Sequence, residues 1–341
     1  MKDLNIEFAN FVCHVGERNL LESYLDFVHP AFFNKHERHY GESRCFFYNP
    51  QLLEVIYGAE DESIPFVFGR LVKDTFLERE QVYLDGELKD DPTALQNSPS
   101  SIFILSLKDH QLFFIKEHKF APSLDTFRAC IERFISEERD ALIEDIYQAE
   151  KEKYEFRGKT GRKKTKKDLN VTYGKPEVNI IPLSSDADIE EFIKSFKVID
   201  KISLDLVTPN NESDSNPFFE SWRKKKKTIP NSKSTVTFSK DKKSLPPSPV
   251  ADLAKEAADD RNILLKVVGK DIHDDKLVGT NESFKLTVPL GEHDDDPILL
   301  TKKVYERFQD LVKDGIVRGP RITDIEKVKE KIKYLLDIIK R

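Results

Sequence analysis

Two apolar runs separated by a short polar stretch lie near the middle of the chain. The first covers residues 102–107 and the second covers residues 112–115, and both are rich in phenylalanine, isoleucine and leucine. Runs of this length and composition are typical of strands whose two faces are both covered. The polar residues 108–110 between them favour a turn. The pattern therefore predicts a buried β-hairpin at about 101–118.

A long amphipathic segment follows the hairpin and extends to about residue 153. Ser123 precedes it and has the side chain expected of a helix N-cap. Apolar residues then recur at helical spacing, which predicts a long helix with one buried face. The polar interval 136–140 leaves open a break between two helices. The apolar positions are Leu124, Phe127, Ile131, Phe134, Leu142, Ile146 and Ala149.

Shorter patterns precede the hairpin and complete a first predicted domain at 1–153. Partly alternating and continuous apolar runs predict strands, and Asp85-Gly86 has the composition of a tight turn. The predicted strands are 4–15, 64–74 and 80–88, and the predicted short helices are 18–28 and 51–58. With the hairpin and the long helix, these elements predict an α+β domain with a mostly antiparallel sheet.

A basic linker at 154–175 and a second domain at 176–341 follow in the predicted organisation. The second domain has patterns in the order β-α-β-α-β-α-β-β and ends with two helices. This order most resembles a ferredoxin-like, split βαβ sheet with one extra unit, which is an α/β sandwich. The predicted strands are 177–183, 201–210, 234–241, 262–271 and 282–290.

Composition limits the class of protein. The mean hydropathy of −0.53 and the 34% of charged residues indicate a well-solvated surface. No apolar stretch reaches the roughly 18 residues that a membrane helix needs, and the N-terminus lacks the apolar core of a signal peptide. The three cysteines are far apart in sequence and suit a reducing compartment. We therefore expect a cytoplasmic protein that makes no membrane contact.

Positive charge is concentrated locally, although the whole chain has a net charge of −6. The segment 157–167 contains seven basic residues, two glycines and no apolar periodicity, which predicts an exposed loop. Such a run can contact the phosphates of DNA or RNA without reading their sequence. The alternative is a solvated linker that binds no partner. The candidate residues are Arg157, Lys159, Arg162, Lys163, Lys164, Lys166 and Lys167.

A second basic stretch follows the only tryptophan of the chain on a predicted helix. An aromatic ring can stack on a nucleic-acid base while neighbouring lysines contact the backbone. The alternative is a tryptophan in the core beside a solvated basic face. The candidate residues for nucleic-acid binding are Trp222, Arg223, Lys224, Lys225, Lys226 and Lys227.

Glu117 and Lys119 form an E-x-K pattern at the end of the second hairpin strand. In nucleases of the restriction type, such a pair lies on one strand face, where the carboxylate binds Mg²⁺ and the lysine polarises the attacking water. That site also needs an acidic residue on a neighbouring strand, and Asp109 lies at the opposite end of the hairpin. The alternative is a charged strand end at the surface. Outside this Mg²⁺-dependent alternative, we predict no cofactor.

Histidines are frequent in the first part of the chain. His29, His36 and His39 precede Cys45, and these residue types are the usual ligands of zinc. Their spacing matches no established zinc motif, so the alternative is a set of surface histidines. The acidic stretch 292–297 is expected to be a solvated loop rather than a calcium site.

Three stretches together resemble an uncharacterised family of bacterial proteins associated with phage-defence operons. They are FGRLVKDTFLEREQVY, PSSIFILSLKDHQLFFIKEHKFAPSLDTF and ISLDLVTPNN. The resemblance implies a cytoplasmic antiviral component and assigns no catalytic residue. With the two basic stretches, it predicts a non-catalytic defence component that binds DNA or RNA. The alternatives are a metal-dependent nuclease and an interaction scaffold that pairs with a second defence protein or with itself.

Overall fold

A computed structural model describes residues 4–58, 61–160, 163–210, 216–229, 233–292 and 295–339. The strands are β1 Asn5–Val15, β2 Glu37–Tyr40, β3 Ser43–Tyr57, β4 Glu62–Leu84, β5 Glu87–Asn97, β6 Ser100–Ser106, β7 Gln111–Lys116, β8 Pro176–Pro182, β9 Val198–Leu206, β10 Thr235–Ser239, β11 Ile263–Lys270, β12 Lys276–Thr280 and β13 Thr287–Pro289. The helices are α1 Leu20–Ser23, α2 His29–Phe33, α3 Leu124–Phe156, α4 Lys166–Tyr173, α5 Asp186–Lys194, α6 Pro217–Lys227, α7 Pro247–Asp260, α8 Pro297–Lys313 and α9 Ile325–Ile339. A π-helical turn, Tyr24–Val28, joins α1 to α2, and a 3₁₀ turn spans Asn281–Phe284. The predicted combination of helices with antiparallel sheet is confirmed.

The larger sheet is antiparallel and curled, with the predicted hairpin at its centre. Its order is β13-β1-β7-β6-β4-β3-β2, with β8 also paired to β1 and β5 paired to β4. Every residue from Ser101 to Leu107 is buried, as is each residue from Gln111 to Ile115. These strands are continuous apolar runs because apolar layers cover both of their faces.

The long helix α3 is continuous, so the break considered at 136–140 is wrong. Ser123 is the N-cap, and its hydroxyl accepts a hydrogen bond from the backbone N–H of Thr126. The polar interval contains no glycine or proline that would end a helix. Arg139 in this interval is buried and donates to Asn170 on α4, so a tertiary contact holds this polar side chain within the continuous helix.

Residues 51–58 do not form the predicted short helix, because they belong to β3 up to Tyr57. This strand pairs with β4 along most of its length. Leu53 and Val55 are buried and share one face, while Ile56 points to solvent. Pairing with β4 therefore overrides the helical interpretation, as expected for a stretch rich in branched and aromatic side chains.

Two apolar cores cover the two faces of the larger sheet. One lies under α3, the helices between β1 and β2, and part of α9, and it contains Phe103 and Phe127. The other lies under α8 and contains Phe113 and Phe308. Ring centroids in these pairs are 5.1 Å and 5.6 Å apart, which is the usual range for packed aromatic side chains.

The smaller sheet has the order β10-β9-β11-β12 and is antiparallel. Helices α5 and α7 pack on it around a third apolar core. Strands β8 and β13, which lie in the range predicted as the second domain, pair instead with β1 of the larger sheet. The predicted single strand at 282–290 is a 3₁₀ turn followed by the three-residue β13, and β12 precedes it.

Polar side chains connect the smaller sheet to β1. Asn210, from the Pro-Asn pair after β9, accepts from the N–H of Cys13 at 3.0 Å and donates to the carbonyl of Phe11 at 2.8 Å. It satisfies backbone groups of β1 beyond the last residue that pairs with β7. Nearby, the Asn10 amide donates to Asn262 at 2.9 Å. The two sheets are thereby held in a fixed relation by buried hydrogen bonds.

Candidate nucleic-acid interface

Helix α6 carries two different faces, although its sequence is almost uniformly basic after Trp222. Its spacing of 3.6 residues per turn places residues i, i+4 and i+7 on one side. The inner face contains Phe219, Arg223 and Lys226. The outer face, defined by Phe218, Trp222 and Lys225, points to solvent. Consecutive cations of the run Arg223–Lys227 therefore have different surroundings.

The inner face uses its cations to join α6 to the smaller sheet. Arg223 is 6% exposed and forms an ion pair with Asp260 at 2.7 Å. Its guanidinium also donates to the carbonyl oxygens of Val207 and Asn262 at 3.0 Å and 3.1 Å. Of the predicted nucleic-acid contacts, Arg223 is thus occupied by protein groups and inaccessible to a phosphate.

Lys226 also turns towards the protein. Its Nζ donates to the carbonyl oxygen of Leu206 at 3.0 Å. Burial lowers the pKa of Lys226, because a partly desolvated ammonium loses hydration; the nearby Glu177 favours the charged form and opposes this effect. This side chain anchors the C-terminal end of α6, and we assign it no direct contact with nucleic acid.

The outer face combines exposed aromatic rings with a cation. Trp222 and Phe218 are 37% and 42% exposed, and their ring centroids are 6.3 Å apart. The Nζ of Lys225 lies 5.6 Å from the Trp222 ring centroid, within the range of a cation–π contact. Lys224 is exposed beside them and pairs with Glu220 at 2.7 Å. The structure gives the position of Lys227 at the end of α6 but does not describe its side chain.

The basic segment 157–167 begins where α3 ends and continues into α4. Lys163 packs on Tyr147 of α3, with its Nζ 4.3 Å from the ring centroid. Lys166 forms an ion pair with Glu144 at 2.5 Å, and the hydrogen bond that its ammonium donates to this carboxylate raises the pKa of Lys166. Two of the seven cations therefore hold this segment against α3.

The remaining described cations of the basic segment are exposed. Arg157 donates from Nε to the backbone carbonyl of Lys153 and leaves the rest of its guanidinium in solvent. The side chains of Lys159, Lys164 and Lys167 are exposed and form no ion pair within the described part of the chain. Arg162 lies outside the described residues.

Phe156 is a further residue of this surface that the sequence analysis did not single out. It is the last residue of α3 and is 93% exposed. With Glu152, Lys153 and Arg157 it lines an open depression of about 570 Å³. The sequence contains a signal for Phe156, because an aromatic residue stands directly before a basic run there. The same combination made Trp222 a candidate.

The two basic stretches lie at different places relative to β8. The ammonium of Lys226 lies close enough to Glu177 for the two charges to interact. Glu177 is the second residue of β8, and α4 ends three residues before the start of that strand. On α3, the start of β8 lies beside Glu132, which accepts from the N–H of Val178, whereas Lys163 and Lys166 contact Tyr147 and Glu144 further along the helix, so the basic segment lies away from the start of β8.

Glu117 and Lys119 lie after Lys116, the last residue of β7. They therefore follow the strand on which the E-x-K pattern was predicted and are not part of it. Both carboxylate oxygens of Glu117 accept from Arg70, at 3.2 Å and 3.1 Å, and one also accepts from Ser100 at 2.6 Å. The Nζ of Lys119 lies over the Phe120 ring. This geometry ties Glu117 into a surface ion pair and gives the nuclease alternative no structural support.

The candidate histidines do not converge. His36 lies between Glu137 and Glu138 of α3, with nitrogen–oxygen distances of 2.9 Å and 2.6 Å. His29 stacks on Phe33, and His39 faces Glu37. Among the described residues, no group of three or more histidine, cysteine, aspartate or glutamate side chains is arranged to hold a metal ion. The stretch 292–297 falls partly outside these residues, at 293–294.

In comparisons with known proteins, no family model and no curated protein matches this chain. The resemblance to phage-defence-associated proteins therefore stays a prediction. None of the described helices is both long enough and apolar enough to span a membrane.

Proposed function

We propose that this protein is a non-catalytic component of a bacterial antiviral defence system that binds single-stranded DNA or RNA. The contact surface is the outer face of α6, supplemented by the exposed cations of the basic segment 157–167. The exposure of Trp222, with Lys225 placed against its ring and Phe218 beside it, is the observation that carries this proposal.

Single-stranded nucleic acid is the ligand that best suits a surface of exposed aromatic rings and lysines. Exposed aromatic rings can stack on bases only where the bases are not paired in a duplex, and each stacked base contributes about 1–3 kcal/mol to binding. Lys224 and Lys225 on the same side can contact the phosphates between stacked bases. Because the rings read no base edge, we expect little sequence preference and a steep dependence on salt.

The basic segment adds a second surface with electrostatic attraction for phosphates. Its exposed cations lie between the end of α3 and the first turn of α4. The chain as a whole is acidic, with a net charge of −6. Nucleic-acid phosphates are therefore attracted to local basic patches of this protein and repelled by the acidic remainder of its surface.

Trp222 is the only tryptophan of the chain, so its fluorescence reports on the proposed surface directly. We expect an oligothymidylate of about 15 nucleotides, within the range of known single-strand sites, to quench this fluorescence at low salt. The double variant K224E/K225E should bind at least about tenfold more weakly, because two phosphate contacts become repulsive. Phe218→Ala should also reduce quenching while keeping the fluorophore.

The matched control is K276E/K302E, which makes the same charge change at two exposed lysines on β12 and α8. This control should bind like the unaltered chain. Fluorescence anisotropy of a labelled oligonucleotide extends the test to Trp222→Ala, for which we expect a loss of about 1–3 kcal/mol. The proposal fails if no oligonucleotide binds at low salt, or if both double variants lose affinity equally.

A further inference from the structure

Two of the three cysteines meet in the core beneath α3. Cys45 lies on β3 and Cys130 lies on α3, and both side chains are buried in the same apolar core. The thiol of Cys130 donates a hydrogen bond to the sulfur of Cys45, so the two sulfur atoms are in direct contact. Both cysteines are reduced in this structure.

The packing of aromatic rings fixes this arrangement. Phe127, Cys130 and Phe134 recur at helical spacing and therefore share one face of α3. The ring of Phe47 on β3 packs against the rings of Phe127 and Phe134, with centroid distances of 5.5 Å in both cases. Cys45 precedes Phe47 by two residues and so points to the same side of β3. The face of α3 that carries Cys130 thus lies over the face of β3 that carries Cys45.

Cys45 also lies between two cations. In the antiparallel register, Arg38 on β2 and Lys73 on β4 are directly opposite Cys45, which places the three side chains on one face of the sheet. The hydrogen bond from Cys130 lowers the pKa of Cys45, and burial opposes this effect. The charges of Lys73 and Arg38 lower this pKa further. Cys45 is therefore the thiol of the pair that ionises first, and the thiolate is the nucleophilic form.

Cys13 provides a comparison within the same chain. It is as deeply buried as Cys45, but its cross-strand neighbour on β8 is Val178. Burial and the nearby Glu132 raise the pKa of Cys13 to about 12. A thiol in such surroundings stays protonated and is inert. Cys13 and Cys45 thus differ in the charges around them and not in their exposure.

The short edge strand β2 covers the cysteine pair. It has four residues and, among the described strands, pairs with β3 alone. Tyr40 on this strand is 44% exposed, and the guanidinium of Arg38 lies 4.6 Å from its ring centroid. Burial raises the pKa of the Tyr40 hydroxyl, and the two thiols are near enough to add to this rise. Local opening of an edge strand of this kind admits a small solute to Cys45 without unfolding the core.

We propose that Cys45 and Cys130 are a peroxide-reactive thiol pair that is oxidised to an intramolecular disulfide between β3 and α3. Such reversible disulfides are the kind that proteins of reducing compartments use. The reaction needs no nucleic acid and is independent of the surface on α6.

Hydrogen peroxide is the oxidant, and the reaction has two steps. The Cys45 thiolate attacks one peroxide oxygen, so an S–O bond forms, the O–O bond breaks, and the leaving hydroxide takes up the proton that Cys45 had released. The Cys130 sulfur then attacks the sulfenic acid, so the S–S bond forms, the S–O bond breaks, and hydroxide leaves as water with the Cys130 proton. The two sulfur atoms lose two electrons, which reduce the peroxide to water.

Thiol counting on the full chain tests this proposal. The reduced chain is exposed to a small molar excess of hydrogen peroxide, catalase stops the reaction, and the remaining thiols are alkylated in urea. Mass spectrometry should show the loss of two thiols, and peptide mapping should link Cys45 to Cys130 and find Cys13 alkylated. Dithiothreitol should restore all three thiols.

Single replacements separate the roles of the two sulfur atoms. In Cys130→Ala the oxidised Cys45 has no second thiol to attack it, so dimedone should trap its sulfenic acid. In Cys45→Ala, Cys130 should remain reduced, because it lies in the core without the thiolate that reacts first. Cys13→Ala is the matched control, since it also removes a buried thiol, and it should form the disulfide as fast as the unaltered chain.

The double variant R38Q/K73Q tests the cations opposite Cys45. It should slow disulfide formation by about threefold or more, because a higher thiol pKa lowers the thiolate fraction more than it raises nucleophilicity. The control K276Q/K302Q removes two positive charges at exposed lysines elsewhere and should react like the unaltered chain.

Four outcomes overturn the proposal. Cys45 and Cys130 stay reduced in peroxide, Cys13 is oxidised as readily as Cys45, the disulfide forms only in urea, or R38Q/K73Q reacts as fast as its control. The first three are read from the unaltered chain, so they do not depend on the folding of any variant.

Discussion

The run Arg223–Lys227 on α6 and the basic segment 157–167 have similar compositions but different surroundings. On α6, helical periodicity turns Arg223 and Lys226 inward and leaves Lys224 and Lys225 outside. In the basic segment, Lys163 and Lys166 pack on α3, and the other described cations are exposed. Each stretch therefore divides into cations that stabilise the fold and cations available to a ligand.

The two stretches differ in the protein groups that their structural lysine and arginine side chains contact. Arg223 meets a fully buried carboxylate and two backbone carbonyls, so its charge is part of the interior. Lys163 and Lys166 meet a tyrosine ring and an exposed carboxylate at the surface, where ion pairs contribute little. A count of basic residues in a sequence window does not distinguish these cases, whereas burial and partner identity do.

The largest effect is expected at the buried ion pair of α6. Arg223→Met should lower the free energy of unfolding by about 3–5 kcal/mol, because it leaves the Asp260 carboxylate buried without its partner. Urea denaturation followed by circular dichroism measures this loss. Lys224→Met, one residue along the run, should change stability by less than about 0.5 kcal/mol, because that ion pair is exposed.

A second variant separates charge burial from lost packing. R223M/D260N removes both charges, so it should recover a substantial part of the stability that Arg223→Met loses. Equal stability losses for Arg223→Met and Lys224→Met would contradict the division of α6 into a structural and an accessible face.

Local signals in the sequence were sufficient for much of the framework. The two apolar runs specify the central hairpin, Ser123 begins α3, and Asp85-Gly86 makes the turn between β4 and β5. In each case the determining contacts lie within a few residues along the chain. Such features follow from backbone preferences and hydrophobic periodicity, and these can be read without knowing the fold.

Features that depend on distant partners were not predictable in the same way. The strand at 51–57 forms because it pairs with β4, and its own pattern also suits a helix. Arg223 is structural because Asp260, 37 residues later, lies beneath it. Helical spacing alone shows that the run Arg223–Lys227 has two sides, but it does not show which side is buried.

An intermediate effect is expected for the exposed cations of the basic segment. Replacing Lys159, Lys164 and Lys167 by glutamine should leave stability unchanged and weaken oligonucleotide binding. If all three lysines contact phosphates, the plot of the logarithm of the binding constant against the logarithm of the salt concentration should become shallower. We expect its slope to change by about 2, or about 0.7 for each contact. Fluorescence titrations of Trp222 at several salt concentrations measure this slope.

Lys163 and Lys166 provide the matched comparison within the basic segment. Their replacement by glutamine should change the salt slope less, because Tyr147 and Glu144 already hold these side chains. Equal slopes for the two sets of variants would show that the contacts with α3 do not restrict the cations in solution.

The smallest effect is expected at Lys226 and depends on pH. Burial lowers the pKa of Lys226 in the folded chain below its usual value of 10.5. Between the two pKa values the unfolded chain binds more protons than the folded chain, so stability rises with pH in this window. Below the window, the cost of burying the charged ammonium is fully present.

Lys226→Met should remove this rise, since methionine fills the same space without a proton to lose. At neutral pH its stability should differ from that of the unaltered chain by less than about 1 kcal/mol, because relief of desolvation offsets the lost hydrogen bond to Leu206. Urea midpoints between pH 7 and pH 10.5 measure the effect, with the exposed Lys224→Met as control. An unchanged pH profile in Lys226→Met would place this ammonium in solvent and assign it to the accessible cations of α6.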